Sequence, residues 1–129
     1  MHTEPLDQQV VDALSSELGD AATFARLVRL YLERLSDRLE SVVNAEDPAA
    51  MAAAAHSLKS ASGTFGAAIV AEIAGQLEEL GERGEEAPPP LVDGLLDAAE
   101  DARRALTQLV ADAEAEADVE ADNSPDDAG

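Results

Sequence analysis

Cysteine and tryptophan are absent from the 129 residues, and two Phe and one Tyr are the only aromatic rings. Without cysteine there is no disulfide, no thiolate metal site and no thiol nucleophile. Bases are scarce too: eight Lys+Arg stand against 28 Asp+Glu, a formal charge of −20. Such a surface repels a phosphate backbone, which argues against nucleic acid as a partner, and it disfavours anionic membrane. No apolar run approaches the roughly 20 residues that span a bilayer, so no membrane insertion is expected. The opening MHTEPLDQQV has neither the basic nor the apolar region of a signal peptide, and the expected location is cytoplasmic.

What is present points to helix. Alanine alone accounts for 27 residues. Ala and Leu are strong helix formers, and no stretch alternates apolar and polar long enough for a strand. The chain reads as all-α, and periodicity with capping signals marks five segments. Leu6, Val10, Leu14 and Leu18 recur every four residues over Pro5–Leu18, with Gly19 as a stop. Asp20 is placed to cap a long second helix reaching about Ala45, whose stripe is Phe24, Leu27, Val28, Tyr31, Leu35, Leu39 and Val42. Four of the eight bases lie on it: Arg26, Arg29, Arg34 and Arg38. Asp47 as cap and Pro48 at the first helical position open a third helix running to about Thr64. A fourth follows Gly66, carries Ile69, Ile73, Leu77 and Leu80, and is broken by Gly81 and Gly84. The run EEAPPP reads as loop, and a fifth helix starts near Leu91 and runs to about Ala113.

Short connections between long amphipathic helices favour antiparallel neighbours. The expected architecture is an antiparallel up-and-down four-helix bundle with a short additional N-terminal helix. The bundle is expected to occupy residues 1–110. Residues 111–129 carry eight acids and no base, which reads as a frayed or disordered acidic tail.

The chemistry is concentrated in Pro48–Ala71. These 24 residues hold one charged side chain, Lys59, where the chain average of 28% would give about seven. Within this window Met51, Ala54 or Ala55, Leu58, Ala61 or Ser62, and Phe65 form the stripe that should face the core. His56 lies two residues before Leu58, about 200° around the axis, and so points outward. Its neighbours on the helix surface are Ala52, Ala53, Lys59, Ser60 and Gly63. All but the lysine are small, so another protein's surface can come close to the imidazole. A neutral imidazole is a nucleophile at physiological pH, and Lys59 one turn along can stabilise the charge of an arriving phosphoryl group. For one ring nitrogen to attack, the other should hydrogen-bond to an acceptor. In a hairpin turning near Phe65–Gly66, His56 is about ten residues before the turn. The acceptor should then lie near Gln76 or Glu78. Nothing forms a metal site: His2 and His56 are 54 residues apart, and there is no Glu-x-x-His pair. His2 reads as a solvated terminal residue.

The run His56-Ser57-Leu58-Lys59-Ser60-Ala61-Ser62-Gly63-Thr64-Phe65-Gly66-Ala67 resembles the signature of histidine-containing phosphotransfer (HPt) domains of bacterial multistep phosphorelays. The aromatic-led second helix, the Asp47-Pro48 start and the Leu-Glu-Glu-Leu run after the site extend the resemblance over Leu6–Val110. It implies that His56 is the phosphoacceptor, that Lys59 is the family's lysine, and that Glu78 is the polar partner of the ring. It also implies a phosphocarrier with no ATP-binding kinase domain. Such a carrier accepts the group from a receiver-domain aspartate and passes it to another receiver. Its expected partners are the receiver domains of response regulators and hybrid histidine kinases. No cofactor is expected on this chain, and Mg²⁺ is expected on the receiver. One departure is Ser60, where the family usually has glycine, and it implies weakened or altered partner choice without loss of function. The Gly63–Gly66 run is also similar to the phosphorylatable domain of chemotaxis kinases. An excised domain of that type is therefore an alternative, as is a non-phosphorylated adaptor bundle that uses the same face.

Overall fold

The computed structural model describes residues 4–122; His2 and residues 123–129 lie outside the described residues. Five helices follow in order: α1 (Gln8–Leu18), α2 (Ala21–Val43), α3 (Pro48–Thr64), α4 (Ala68–Glu82) and α5 (Pro89–Asp122). Each of the first three opens on an aspartate whose side chain accepts from a free backbone N–H of the first turn: Asp7, Asp20 and Asp47. There is no strand among the described residues.

Helices α2 to α5 form a closed ring in which each packs on two neighbours, α2 on α3 and α5, and α4 on α3 and α5. The pairings run antiparallel. Arg29 meets Glu114 and Ser36 meets Arg103 between α2 and α5. Tyr31 meets Ser62, and Val42 and Met51 line one groove between α2 and α3. The core is Leu and Ala in layers: Val28, Leu35, Ala55, Leu58, Ala74, Leu77, Leu95, Ala102 and Leu106 are fully buried. One polar pair interrupts it. The Tyr31 hydroxyl lies 2.7 Å from the buried Ser62 Oγ, so neither hydroxyl is left unsatisfied. Burial pushes the Tyr31 phenol up from its ordinary value.

The α3–α4 hairpin is the tightest pair, and two glycines make it so. Gly66 takes φ +77 in the turn, and a Cβ there would sit 3.0 Å from Val11 and 3.1 Å from the Asp7 carbonyl of the α1 segment. The Asp7 N–H donates to the Gly66 carbonyl at 2.7 Å, so α1 is laid across this turn. Gly81 was expected to end α4; it stands inside the helix instead. A Cβ at Gly81 would lie 2.5 Å from the Pro48 carbonyl oxygen and 2.8 Å from Ala52 Cβ. The glycine serves close helix approach, and the helix ends one residue later, at Glu82.

Two other boundaries differ from expectation. α5 begins at Pro89, not near Leu91, because a first turn has no use for the N–H groups that proline lacks. α5 also runs on through residues 111–122, past the expected fraying point. Val110 and Ala113 are still buried against the bundle, and Arg29 on α2 pairs with Glu114. The expected boundary at residue 110 thus falls inside a continuous helix.

Gly81→Ala should destabilise the protein by about 1–3 kcal/mol, the usual cost of overpacking a close contact. Gly63, also helical but with nothing within 4 Å of its would-be Cβ, should do the opposite. Gly63→Ala should stabilise by up to about 1 kcal/mol. Urea unfolding of both variants checks the pair.

Candidate functional site

The hairpin places three side chains together. α3 carries His56 and Lys59 one turn apart, and α4 carries Glu78. The Glu78 carboxylate is shared: Oε2 lies 2.7 Å from His56 Nδ1, and Oε1 accepts from Lys59 Nζ at 2.5 Å. The Glu78 side chain is 13% exposed, whereas the His56 side chain is 64% exposed. The carboxylate is therefore held in the groove between the helices, and the ring stands out from it.

The electrostatics define the ring's chemistry. The bond from Lys59, with that from His56, holds the Glu78 carboxyl below its ordinary value. The same bond to Glu78 raises the Lys59 ammonium. Glu78 is thus ionised at neutral pH and can only accept. Nδ1 must then carry the proton, and in the neutral ring the lone pair resides on Nε2. This fixes the tautomer that leaves a nucleophilic nitrogen on the exposed side.

Of the two acceptor positions expected from the hairpin, Glu78 meets the ring; Gln76 is exposed and does not hold Nδ1. Ala53, Ser60 and Gly63 are exposed around the histidine. Ala52 is not part of that open face. It is half-buried, packed under Gly81, because α4 approaches closely on that flank. One contributor was missed. A Cβ at Gly75 would lie 3.4 Å from Lys59 Cδ, so the lysine stem lies over this bare spot on α4 before reaching Glu78. The α2 arginines do not act as one group. Arg29 faces α5 and pairs with Glu114, on the side of the ring of helices away from α4. No group of three or more His, Cys, Asp or Glu that could hold a metal occurs among the described residues. Among the described residues no helix is long and apolar enough to cross a membrane.

Comparison with known proteins supplies an independent line. The family model for the Hpt domain matches residues 26–116, most of the chain and all of α3 and α4. Among solved structures, the chain is similar to the histidine-containing phosphotransfer protein B (HptB) from Pseudomonas aeruginosa PAO1. The identity is 26% and the TM-score 0.76, over 84% of this chain and 96% of that one. No curated protein matches the chain by sequence.

An NMR-monitored pH titration tests the shared carboxylate. Glu78 should titrate below the ordinary glutamate value of 4.5, so its bonds persist through neutral and mildly acid pH and are lost only as pH falls through the depressed value. Lys59→Met should move the midpoint back up.

Proposed function

The chain belongs to the Hpt domain family, and on that premise we propose that His56 is a phosphoacceptor in a His-Asp phosphorelay. The Nε2 lone pair attacks the phosphorus of an aspartyl phosphate on a partner receiver domain. The N–P bond forms as the acyl P–O bond breaks, and the aspartate leaves as carboxylate. The ring keeps its Nδ1 proton and becomes cationic, a charge that the Glu78 carboxylate 2.7 Å away stabilises. The Lys59 ammonium beside it offsets the negative charge of the transferring group. The reverse step hands the group to the aspartate of a second receiver. Any Mg²⁺ in the reaction is assigned to the receiver, and the carrier works in the cytoplasm.

One observation carries this reading: an exposed imidazole whose inner nitrogen is already engaged by a half-buried carboxylate. Docking is the second requirement, and Gly63 supports it. A glycine inside a helix costs roughly 1 kcal/mol relative to alanine, and no intramolecular contact explains this one. With Ala53 and Ser60 it keeps the outer face of α3 low enough for a partner's backbone. Ser60 is exposed and adds only a hydroxymethyl group where the family has glycine, which tunes the fit of that face.

Incubation with a phosphorylated receiver domain should place an acid-labile, base-stable phosphate on the wild-type chain and none on His56→Gln, with an unchanged helical spectrum. Lys59→Ala should slow transfer about tenfold or more, equivalent to at least about 1.4 kcal/mol of barrier. Glu78→Ala should lose less. A wild-type chain that binds the receiver but never acquires phosphate would make it an adaptor instead.

A further inference from the structure

Five of the eight bases form ion pairs: Arg29 with Glu114, Lys59 with Glu78, Arg83 with Glu85, and Arg103 and Arg104 with Glu100. The other three are Arg26, Arg34 and Arg38. Among the described residues none of them has a carboxylate oxygen within 4.0 Å. Arg26 acts on Asp20, and Arg38 on the buried Tyr31, only through their fields. α2 also carries Glu33, Asp37 and Glu40, so what sets these arginines apart is placement, with no carboxylate in direct contact, and not a net excess of charge on the helix.

That placement is ordered. Arg26, Leu30, Arg34 and Arg38 recur every four residues and so form one line along α2. Leu30 is one of the few large apolar side chains left exposed, at 40%, and Leu27 lies half-buried next to it. The line drifts toward α3 along its length, because four residues overshoot a helical turn by about 40°. The Tyr31–Ser62 contact, and Val42 facing Met51, set the register of α2 against α3. That register puts Arg34 level with Lys59 and Arg38 level with Ala55. The two arginines therefore stand at the height of His56. They flank the bare outer face of α3 from the α2 side, while Glu78 closes it from the α4 side. Packed helices lie about 8–10 Å apart, and a standard interface covers about 800 Å² per partner. One docked domain spans both.

We propose that Arg34 and Arg38, with Leu30, form the electrostatic half of the docking surface. They select a protein partner whose face next to its phosphoryl group is acidic around an apolar spot. The proposal rests on the phosphorelay reading and deepens it. A carrier with a net charge of −20 repels a partner that brings a phosphoryl anion seated among carboxylates. Two guanidiniums with no carboxylate in direct contact, at the height of the acceptor, weaken that repulsion where the two surfaces meet.

The test is Arg34→Glu/Arg38→Glu in the full chain, with transfer from a panel of phosphorylated receiver domains. Saturation kinetics are measured at low and high salt. KM for the receivers the wild type uses should rise about tenfold at low salt, within the range of electrostatic steering. The gap should close at about 0.5 M salt, where screening shortens the field to a few ångströms. The rate at saturation should stay unchanged, and Arg34→Lys/Arg38→Lys should keep most of the effect. Arg104→Glu, on a base already paired within α5, is the control and should change nothing. An unaltered KM, or a loss that persists at high salt, overturns the proposal. If the wild type binds receivers without taking phosphate, the relay reading falls and the docking surface is read from Kd. A salt-sensitive tenfold weakening by the double reversal then upholds the surface, and equal Kd values, or no binding to any receiver, overturn it.

Discussion

The Glu78 carboxylate is the joint on which the site depends. One of its oxygens faces the imidazole and the other faces the ammonium, so two side chains of α3 are held by one side chain of α4. Each bond makes the other more useful. The ammonium keeps the carboxylate ionised, and an ionised carboxylate can only accept, which forces the ring proton onto Nδ1. None of this survives an increase in the distance between α3 and α4. The helices approach because Gly81 lets the backbone at Pro48 and Ala52 come close, and because Gly75 leaves room for the lysine stem. Two absent side chains on α4 thus set the electrostatics of a histidine on α3.

How far this could be read from the sequence depends on what each residue signals. Asp47 and Pro48 have one local meaning each, and the helix they open was legible to its last residue, Thr64. The register of the hairpin followed from counting out from Gly66, which is why the ring's acceptor could be narrowed to Gln76 or Glu78 before any coordinates. Gly81 has two meanings. In isolation a glycine near the end of an apolar stripe reads as a stop; opposite Ala52 it is a contact. Propensity is local, close approach is not, and the second won. The same limit explains Ala52, which a single helix shows as open surface and a pair of helices shows as a half-buried seam. It also explains α5, whose continuation through 111–122 is supported by Arg29 from a helix more than 80 residues earlier in the chain.

Net charge behaves in the same two-level way. A total of −20 is an argument about solubility and about which polyanions are repelled, and it says nothing about the field at one face. The uncharged window of α3 is where the acidic surface is interrupted. The α2 arginines that have no carboxylate partner sit beside that interruption. Arg29, a few residues away on the same helix, is spent on Glu114 and faces the other side of the bundle. Four bases on one helix therefore split between holding α5 in place and shaping the field next to His56, and only the packing tells them apart.

The His56 ring is rigidly presented without being enclosed. α3 is backed by Ala55, Leu58 and Ser62 in the core, and the Tyr31–Ser62 pair fixes its rotation and its height against α2. Its opposite face has small or open positions at Ala53, Ser60 and Gly63, where longer side chains would shield the ring. Preorganisation is most effective when the acceptor sits on a stiff element and the moving part is the partner. A bundle meets that requirement without a lid, since both ends of the reacting geometry on this chain, ring orientation and charge, are set by helices that pack on one core. On the proposed reading, what remains to be supplied on encounter is the phosphoryl group itself and the surface that carries it.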